Sequence, residues 1–452
     1  MRRIAIITML LLLLAGTAFA QHQHEPQPEP QQAGESQPHR APQDKDAPAQ
    51  HAEHGAQPTS MIDQIMHHAS AGTTVEPLST AFPMLMGARG KWRLMVHGNL
   101  FLNAIQQSGP RGYDKFFASN WIMPMAQRDI GPGTLTVRAM FSLEPATVTE
   151  RYYPSLFQLG ETAFGRPIVD GQHPHDFIME IAALYDIRLG ENSLLSLYGG
   201  PVGDPAMGPP AFPHRASASE NPIAPLGHHL QDSTHIANNV LTAGFTHRNV
   251  RLEVSGFHGR EPDEERWDFD SGAIDSWSTR LSANFGKNWS SQFSIGRLNS
   301  PEVLHPDDDT LRMTASVAYN RAWGRGRWSS LLLWGRNRNM GHHGAQLFNS
   351  YLAESTVRLD RNYFWGRFEN VDRSSELLLG KNPPPPGFEE EFLARVQAYT
   401  LGYARELPLI PQVSTAIGGQ VSFYGQPDFL EPIYGSHPRG AAVFIRFRLG
   451  KE

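Results

Sequence analysis

Methionine and histidine residues recur at a spacing of two and form the clearest chemical pattern in the chain. Met95 and His97 have this spacing, Met123 and Met125 repeat it, and Met140 follows. In an extended strand, residues two apart point to the same face. Thioether and imidazole ligands together select Cu(I), whereas oxygen ligands suit harder ions. The pattern predicts a soft-metal site on three neighbouring strands, with simple space filling by the methionines as the alternative.

Closely spaced histidines form a second set of candidate metal ligands. Neutral imidazoles bind Cu(II), Zn(II) or Ni(II) when more than one can reach the ion. The groups do not have the spacing of a defined structural or catalytic zinc site. The assigned candidates are His22, His24, His173, His175, His342 and His343, and a further group near a predicted loop contains His228, His229 and His235.

The residue types and motifs that most enzymes need are largely missing. The chain has no cysteine, which excludes disulfides, thiolate metal sites, cysteine nucleophiles and a lipid anchor on cysteine. It also lacks the Gly-x-Ser-x-Gly elbow, the His-Glu-x-x-His zinc motif and the glycine-rich phosphate and dinucleotide loops. We therefore expect no enzyme and assign no catalytic residue. Copper ions are the one candidate cofactor, and an enzyme or a binding protein that acts through surface loops is the alternative.

The first 90 residues divide into three parts. Residues 1–20 contain two arginines, an apolar run and small residues before Ala20, the pattern of a secretory signal peptide, with a membrane anchor as the alternative. Residues 21–60 lack Ile, Leu, Val, Phe, Tyr and Trp and are rich in Gln, Pro, Glu and His. Such a segment is expected to be disordered, here in the periplasm. Residues 61–90 begin with apolar residues at helical spacing, which predicts a short amphipathic linker or plug.

Residues 91–452 alternate between apolar and polar side chains in segments that are joined by turns. In 134–144 the odd-numbered residues are apolar and the even-numbered ones mostly polar. In 176–189 the odd-numbered set is again largely apolar and includes Met179. One face of each strand suits lipid and the other suits water. A soluble sandwich or propeller also alternates, but strands of about ten to fourteen residues better match a tilted membrane span.

The connections between the predicted strands set the fold class. Seven short turns alternate with eight longer polar or proline-rich loops, one of them at 338–345. The chain is therefore predicted to be all-β, a closed antiparallel transmembrane β-barrel of about sixteen strands, between about fourteen and eighteen. Short turns on one side and long loops on the other are typical of the bacterial outer membrane, with the short turns in the periplasm. We expect the protein in the cell outer membrane after export through the periplasm, with outer-membrane lipids as partners.

The polar faces of the predicted strands carry arginine together with acidic residues. A lumen of mixed charge suits a water-filled pore, and charges that pair across the lumen to hold the wall in shape are the alternative. The formal net charge of −6 gives no indication of nucleic-acid binding. The assigned lumen residues are Arg93, Arg138, Glu180, Arg312, Arg358, Arg367, Arg446 and Arg448.

The order of signal peptide, histidine-bearing segment and barrel resembles that of the outer-membrane copper-resistance B proteins. The resemblance covers the whole chain in layout; the dense Met-His repeats of that family are absent, and the first methionines after the signal are Met61, Met66, Met84 and Met86. The resemblance implies a barrel that transports or handles metal ions, copper in particular, with periplasmic metal-resistance proteins as partners. A general or anion-preferring porin, whose lumenal arginines attract small solutes, is the second hypothesis.

Overall fold

The structure is a computed structural model that describes residues 58–163, 166–303, 305–341, 344–374, 378–379 and 393–450. The predicted signal peptide and nearly all of the predicted polar segment lie outside these residues. The same is true of four predicted metal ligands, His22, His24, His342 and His343. No helix in the described ranges is both long enough and apolar enough to cross a membrane.

The described residues are mostly strands. The strands are β1 (Leu85–Arg89), β2 (Trp92–Gln107), β3 (Lys115–Ile130), β4 (Gly133–Phe141), β5 (Tyr153–Ala163), β6 (Arg166–Gln172), β7 (Ile178–Arg188), β8 (Ser193–Gly203), β9 (Ala237–His247), β10 (Val250–His258), β11 (Ser276–Phe285), β12 (Trp289–Leu298), β13 (Asp309–Trp323), β14 (Gly326–Gly341), β15 (Gly344–Leu359), β16 (Asn362–Ser374), β17 (Leu393–Ile410), β18 (Val413–Gly425) and β19 (Arg439–Leu449). The helices are α1 (Met61–His67), α2 (Glu144–Thr147), α3 (His228–Gln231) and α4 (Glu431–Tyr434), and single 3₁₀ turns lie at Thr149–Arg151, Phe212–His214, Ser233–His235 and Asp428–Leu430.

All strands except β1, β5 and β6 form one closed antiparallel barrel. Neighbouring strands pair in the order β2-β3-β4-β7, then β8 through β19 in sequence. The barrel closes where β19 pairs with β2, from Gly440 opposite Gln107 to Arg448 opposite Asn99. Strand β1 pairs with the first residues of β2, and β5 and β6 form a separate hairpin. The predicted closed antiparallel barrel of sixteen strands is confirmed.

The barrel is apolar outside and polar inside. In β4 the even-numbered residues 134–140 are buried and the odd-numbered ones are half-buried or exposed, as predicted. Large apolar side chains such as Leu252, Leu332 and Val443 are exposed on the outer surface. A soluble protein would bury them, so this surface is that of a barrel that spans a membrane.

Short and long connections separate the two ends of the barrel. Turns of two to four residues, such as 131–132, 248–249 and 324–325, join strands at one end, which we call the turn end. At the other end, the loop end, long connections include 142–177, 204–236 and 259–275. The predicted long loop at 338–345 is wrong, because β14 and β15 stay paired up to Gly341 and Gly344. Its polar residues extend the hairpin beyond the apolar band, where no lipid-facing pattern is required.

Residues 58–84, which we call the floor segment, lie inside the barrel near the turn end. Ser60 caps helix α1 by accepting a hydrogen bond from the Asp63 backbone N–H at 3.1 Å. Three buried residues of the helix, Met61, Ile62 and Ile65, pack against Leu194 and Val75. Further along, Thr73 accepts a hydrogen bond from Arg280 and Ser79 donates one to the Asn320 carbonyl. The floor segment thus contacts the wall at strands β8, β11 and β13.

The connection from β8 to β9, residues 204–236, also folds into the lumen and is called the inner loop. Arg215 in this loop forms ion pairs with Asp232 and with Glu354 on the wall. Glu220 pairs with Arg446 and Arg448 on the last strand. The inner loop approaches the floor segment at Gly72, where φ is +53° and a Cβ atom would lie 2.6 Å from the Asp204 carboxylate.

The hairpin of β5 and β6 forms a third layer inside the barrel, closer to the loop end. Phe157 is fully buried and stacks on Tyr434 with ring centres 4.2 Å apart. Wall residues Val371 and Val396 belong to the same apolar cluster. The three inserted segments cover much of the polar inner face of the described part of the barrel.

Candidate functional site

Strands β2, β3 and β4 bring the predicted methionines together on the inner face. Met95 lies opposite Met125, and His97 lies opposite Met123, in the ladder between β2 and β3. Met140 reaches the same place from β4, and the four thioethers form one buried cluster. The alternation of the sequence is the cause, because each methionine occupies an inward position of its strand.

Met179 adds a fifth thioether to the cluster, contrary to its predicted position on the outer face. Met140 pairs with Glu180 while Phe141 pairs with Ile178, so the ladder between β4 and β7 contains a β-bulge at Met179. A bulge inserts one extra residue and changes the phase of the alternation. Met179 is consequently 0% exposed and packs against the other methionines. No local signal in the sequence marks this bulge.

His214 of the inner loop completes the cluster from the centre of the lumen. Its Nε2 atom lies 3.2 Å from the sulfur of Met140, and its ring centre lies 6.0 Å from that of His97. Trp121 lies beside it, with ring centres 4.2 Å apart and ring planes tilted by 40°. Burial, followed by nearby positive groups, lowers the pKa of His214 well below its usual value, so its imidazole is neutral. His214 was not among the predicted ligands, because it stands alone in a proline-rich loop of the sequence.

One buried ring nitrogen in this region makes no hydrogen bond to the described residues. The Nε2 atom of His97 is buried and has no hydrogen-bond partner among the described residues. We call the set of Met95, Met123, Met125, Met140, Met179, His97 and His214 the Met–His cluster.

A second group of imidazoles lies where the inner loop meets the start of β7. His175 contacts Glu144 through Nδ1 at 3.0 Å, His228 contacts the Asp232 carboxylate at 2.7 Å, and His235 contacts the Asp232 carbonyl at 2.9 Å. Ring centres of His175 and His235 are 5.6 Å apart, and those of His228 and His235 are 5.3 Å apart. His173 and His229 continue the group outwards. These five histidines are called the histidine chain.

Burial keeps one member of the histidine chain neutral. Burial, with His228 and His175 nearby, lowers the pKa of His235 to about 3. Its Nε2 atom is buried and has no hydrogen-bond partner in the described ranges. In those ranges, no group of three or more His, Asp or Glu side chains could hold a metal ion. His173 and His175 have different neighbours, since His173 faces His229 and His175 faces Glu144.

The predicted lumen residues are mostly buried and paired. Arg138 with Glu180, Arg367 with Glu354, and Arg446 and Arg448 with Glu220 form ion pairs inside the barrel. Arg312 donates to Ser233 and to the His229 carbonyl. Arg358 is 3.6 Å from Glu406, and Arg93 pairs with Asp129 at the solvent-exposed turn end. This arrangement favours the alternative in which the charges hold the wall and the inserted segments in place.

A cavity of about 70 Å³ adjoins the Met–His cluster on the side of the turn end. His97, Trp121 and His214 are among the residues that line it, and it is large enough for several water molecules. Arg327, Arg358 and Arg448 also line it. The cavity therefore combines imidazoles with positive charge.

Comparisons with known proteins give likenesses among solved structures. No family model matches the chain, and no curated protein matches it. The anion-selective porin of Comamonas acidovorans is 12% identical and covers 79% of this chain and 100% of that chain, with a TM-score of 0.46. OmpF of Salmonella typhi, in a complex with daunomycin, is 9% identical and covers 81% and 100%, with a TM-score of 0.49. OpdK of Pseudomonas aeruginosa is 8% identical and covers 79% and 99%, with a TM-score of 0.38. At these values the likeness goes no further than the barrel architecture that the strand pairing establishes.

Proposed function

We propose that this protein handles a soft metal ion, of the Cu(I) class, inside an outer-membrane barrel. The observation that carries the proposal is the Met–His cluster, which places five buried thioethers and two imidazoles at one point of the lumen. Thioether sulfur and neutral imidazole nitrogen are the protein ligands that favour Cu(I) over harder ions. Ag(I) has the same ligand preference and serves as its stable substitute in experiments.

Space filling by the methionines explains the cluster less well than metal binding does. Methionine fills irregular gaps in many protein cores, and that role would require only apolar neighbours. Here His214 points a ring nitrogen at the Met140 sulfur. The buried Nε2 of His97 lacks a partner among the described residues, a state that costs about 1–3 kcal/mol when nothing satisfies the atom. A bound ion would engage both nitrogens.

The proposal includes a location and an orientation. The apolar outer surface supports a membrane position, and antiparallel barrels of this size are typical of the bacterial outer membrane. The turn end then faces the periplasm and the loop end faces outwards. The polar segment 21–60 would lie on the periplasmic side, where its histidines could gather ions and where periplasmic metal-resistance proteins could deliver or collect them.

A titration of the full chain in detergent with Ag(I) tests the proposal. The double variant Met123→Leu/Met125→Leu keeps the volume but removes two sulfur ligands, and we expect Ag(I) affinity to fall by about tenfold or more. Met207→Leu is the matched control, because Met207 is equally buried in a different lumenal cluster, with Phe257 and Leu298. If the double variant binds Ag(I) as tightly as the parent and the control, the methionines are packing residues and the proposal is wrong.

Passage of small anions is a second candidate function. The cavity at the turn end is lined by Arg327, Arg358 and Arg448, and rings of arginine attract anions in pores. Conductance in planar lipid bilayers separates the candidates. A general or anion-preferring porin gives steady single-channel currents with anion preference, whereas a lumen filled by the three inserted segments gives none until a segment moves.

A further inference from the structure

We infer that the histidine chain is a route along which soft cations travel from the loop end of the barrel to the Met–His cluster. The inference rests on the proposed function, since it concerns how the same site is loaded. It assigns transient ligand roles to His173, His229, His228, His235 and His175, apart from the residues that hold the ion at the end of the route.

The spacing of the rings suits stepwise transfer. Consecutive ring centres lie 6.2 Å apart for His173 and His229, 5.3 Å for His229 and His228, 5.3 Å for His228 and His235, and 5.6 Å for His235 and His175. Two imidazoles on opposite sides of one metal have ring centres about 6 Å apart, because each nitrogen lies about 2 Å from the ion. The observed ring separations are close to this distance, and transit through a protein requires several weak sites in sequence.

The hydrogen bonds of the rings orient them for this role. The Nδ1 atom of His175 contacts the Glu144 carboxylate, that of His228 contacts the Asp232 carboxylate, and that of His235 contacts the Asp232 backbone carbonyl. Carboxylate or carbonyl contacts to one ring nitrogen fix the tautomer of metal-binding histidines and raise the basicity of the other nitrogen. At His235 that other nitrogen is buried and has no hydrogen-bond partner in the described ranges.

The inner end of the histidine chain abuts the Met–His cluster. Phe212 contacts both His175 and His228, with ring centres at 6.1 Å and 5.4 Å. The same 3₁₀ turn then presents His214 to Met140. Ile236, the residue after His235, packs directly within the methionine cluster. Phe212 and Ile236 thus connect His175 and His235 to the thioethers, with a single 3₁₀ turn between Phe212 and His214.

The outer end of the histidine chain lies near acidic loops. His229 contacts Glu261 at 3.4 Å, and burial raises the pKa of Glu302, with Glu261 nearby as the second cause. The loops 259–275 and 299–308 also carry Asp263, Glu264, Glu265, Asp268, Asp270, Asp275, Asp307 and Asp308. Arg260 and Arg266 oppose these charges in part, and the net negative charge that remains raises the local concentration of cations. The turn-end cavity carries arginines instead, so cations are drawn to the loop end.

Rapid-mixing measurements of Ag(I) loading test the route. The signal is the change in tryptophan fluorescence that the parent shows and a Trp121→Phe version lacks, since Trp121 lies beside His214. The full chain in detergent is mixed with Ag(I). We expect His235→Gln to slow loading by roughly tenfold or more while the final affinity stays within about twofold of the parent. His258→Gln is the matched control, because His258 lies at the loop end but bonds to the Ala273 carbonyl, outside the histidine chain.

A second variant keeps the route testable if His235→Gln does not fold. Glu261→Gln removes one charge from a loop, and we expect it to slow loading by about tenfold, in the range by which electrostatic focusing alters association rates. Unchanged loading rates in both variants overturn the route. A weakened final affinity with an unchanged rate also overturns it, because His235 would then be a ligand of the final site. A parent chain that binds no Ag(I) refutes the proposed function instead.

Discussion

Arg138 fixes the floor segment to the wall of the barrel, and its removal should release that segment selectively. The guanidinium is 0% exposed. It donates to both carboxylate oxygens of Glu180, at 2.6 and 2.7 Å. It also donates to the backbone carbonyls of His68, Ser70 and Gly72 at 3.1, 3.0 and 2.7 Å. Arg138→Met fills similar space but removes all five hydrogen bonds.

The size of the effect follows from the buried charge that remains. Loss of one member of a buried ion pair costs about 3–5 kcal/mol, because the other member is left without a partner. The strand pairing of β4 is untouched by the substitution, so we expect the loss to appear as local opening of the floor segment rather than unfolding of the barrel. At about 1.4 kcal/mol per factor of ten, the opening equilibrium shifts by roughly 10²- to 10³-fold or more.

Hydrogen exchange of the full chain, resolved by peptide, measures this opening. We expect amides of 61–80 to exchange about a hundredfold faster in Arg138→Met, with the barrel strands unchanged. Arg251→Met is the matched control, since Arg251 is also buried and paired with Glu253 but donates to Ser196 and Thr246 on the wall. The reasoning is refuted if both variants change the floor segment equally, or if Arg138→Met leaves its exchange unaltered.

Two further predictions concern the membrane position and the pH response. Leu332 lies in mid-strand and Leu409 beside a turn, and their side chains are 64% and 66% exposed on the outer face. In lipid refolding titrations, Leu332→Arg should therefore lower the free energy of unfolding by about 2–4 kcal/mol and Leu409→Arg by about 0–1 kcal/mol. Equal losses would contradict the membrane position. Burial raises the pKa of Glu76 to about 7 and of Asp204 to about 8. The folded state therefore binds more protons, and protection of the floor segment from exchange should fall as pH rises from about 4 to 8 and then level off. Glu76→Gln/Asp204→Asn should flatten this dependence, and an unchanged slope would contradict it.

The barrel wall was predictable because lipid and lumen impose a strict alternation on each strand. In β13, Arg312, Thr314 and Ser316 are buried and face inwards, as their alternation with apolar residues indicates. The β14–β15 hairpin shows the limit of this signal. Where strands extend beyond the apolar band, both faces are polar, and such residues resemble a loop.

The filling of the lumen was not predictable because its contacts join residues that are distant in sequence. Arg215 pairs with Glu354 across 139 residues, and Glu220 pairs with Arg446 across 226. Each inward arginine has many acidic residues that it could contact, and only the closed barrel selects among them. The inner loop is rich in proline and lacks a long periodic segment, so its sequence resembles that of an exposed loop.

The Met–His cluster was predictable only in part, for the same physical reasons. Met95, His97, Met123 and Met125 follow the period of two on adjacent strands, and the sequence is sufficient to group them. Met179 was predicted on the wrong face because a β-bulge shifts the alternation of β7 at this residue. His214 belongs to the inner loop, and its position depends on how that loop enters the barrel.

X-ray absorption spectroscopy of the Cu(I)-loaded full chain tests the central claim most directly. The claim predicts a copper environment with both sulfur and nitrogen neighbours, since Met140 and His214 lie at contact distance. It also predicts that Met123→Leu/Met125→Leu lowers the sulfur contribution, whereas Met207→Leu leaves it unchanged. A copper environment of nitrogen and oxygen alone, identical in all three proteins, would place the ion elsewhere and contradict the assignment of the Met–His cluster as a metal site.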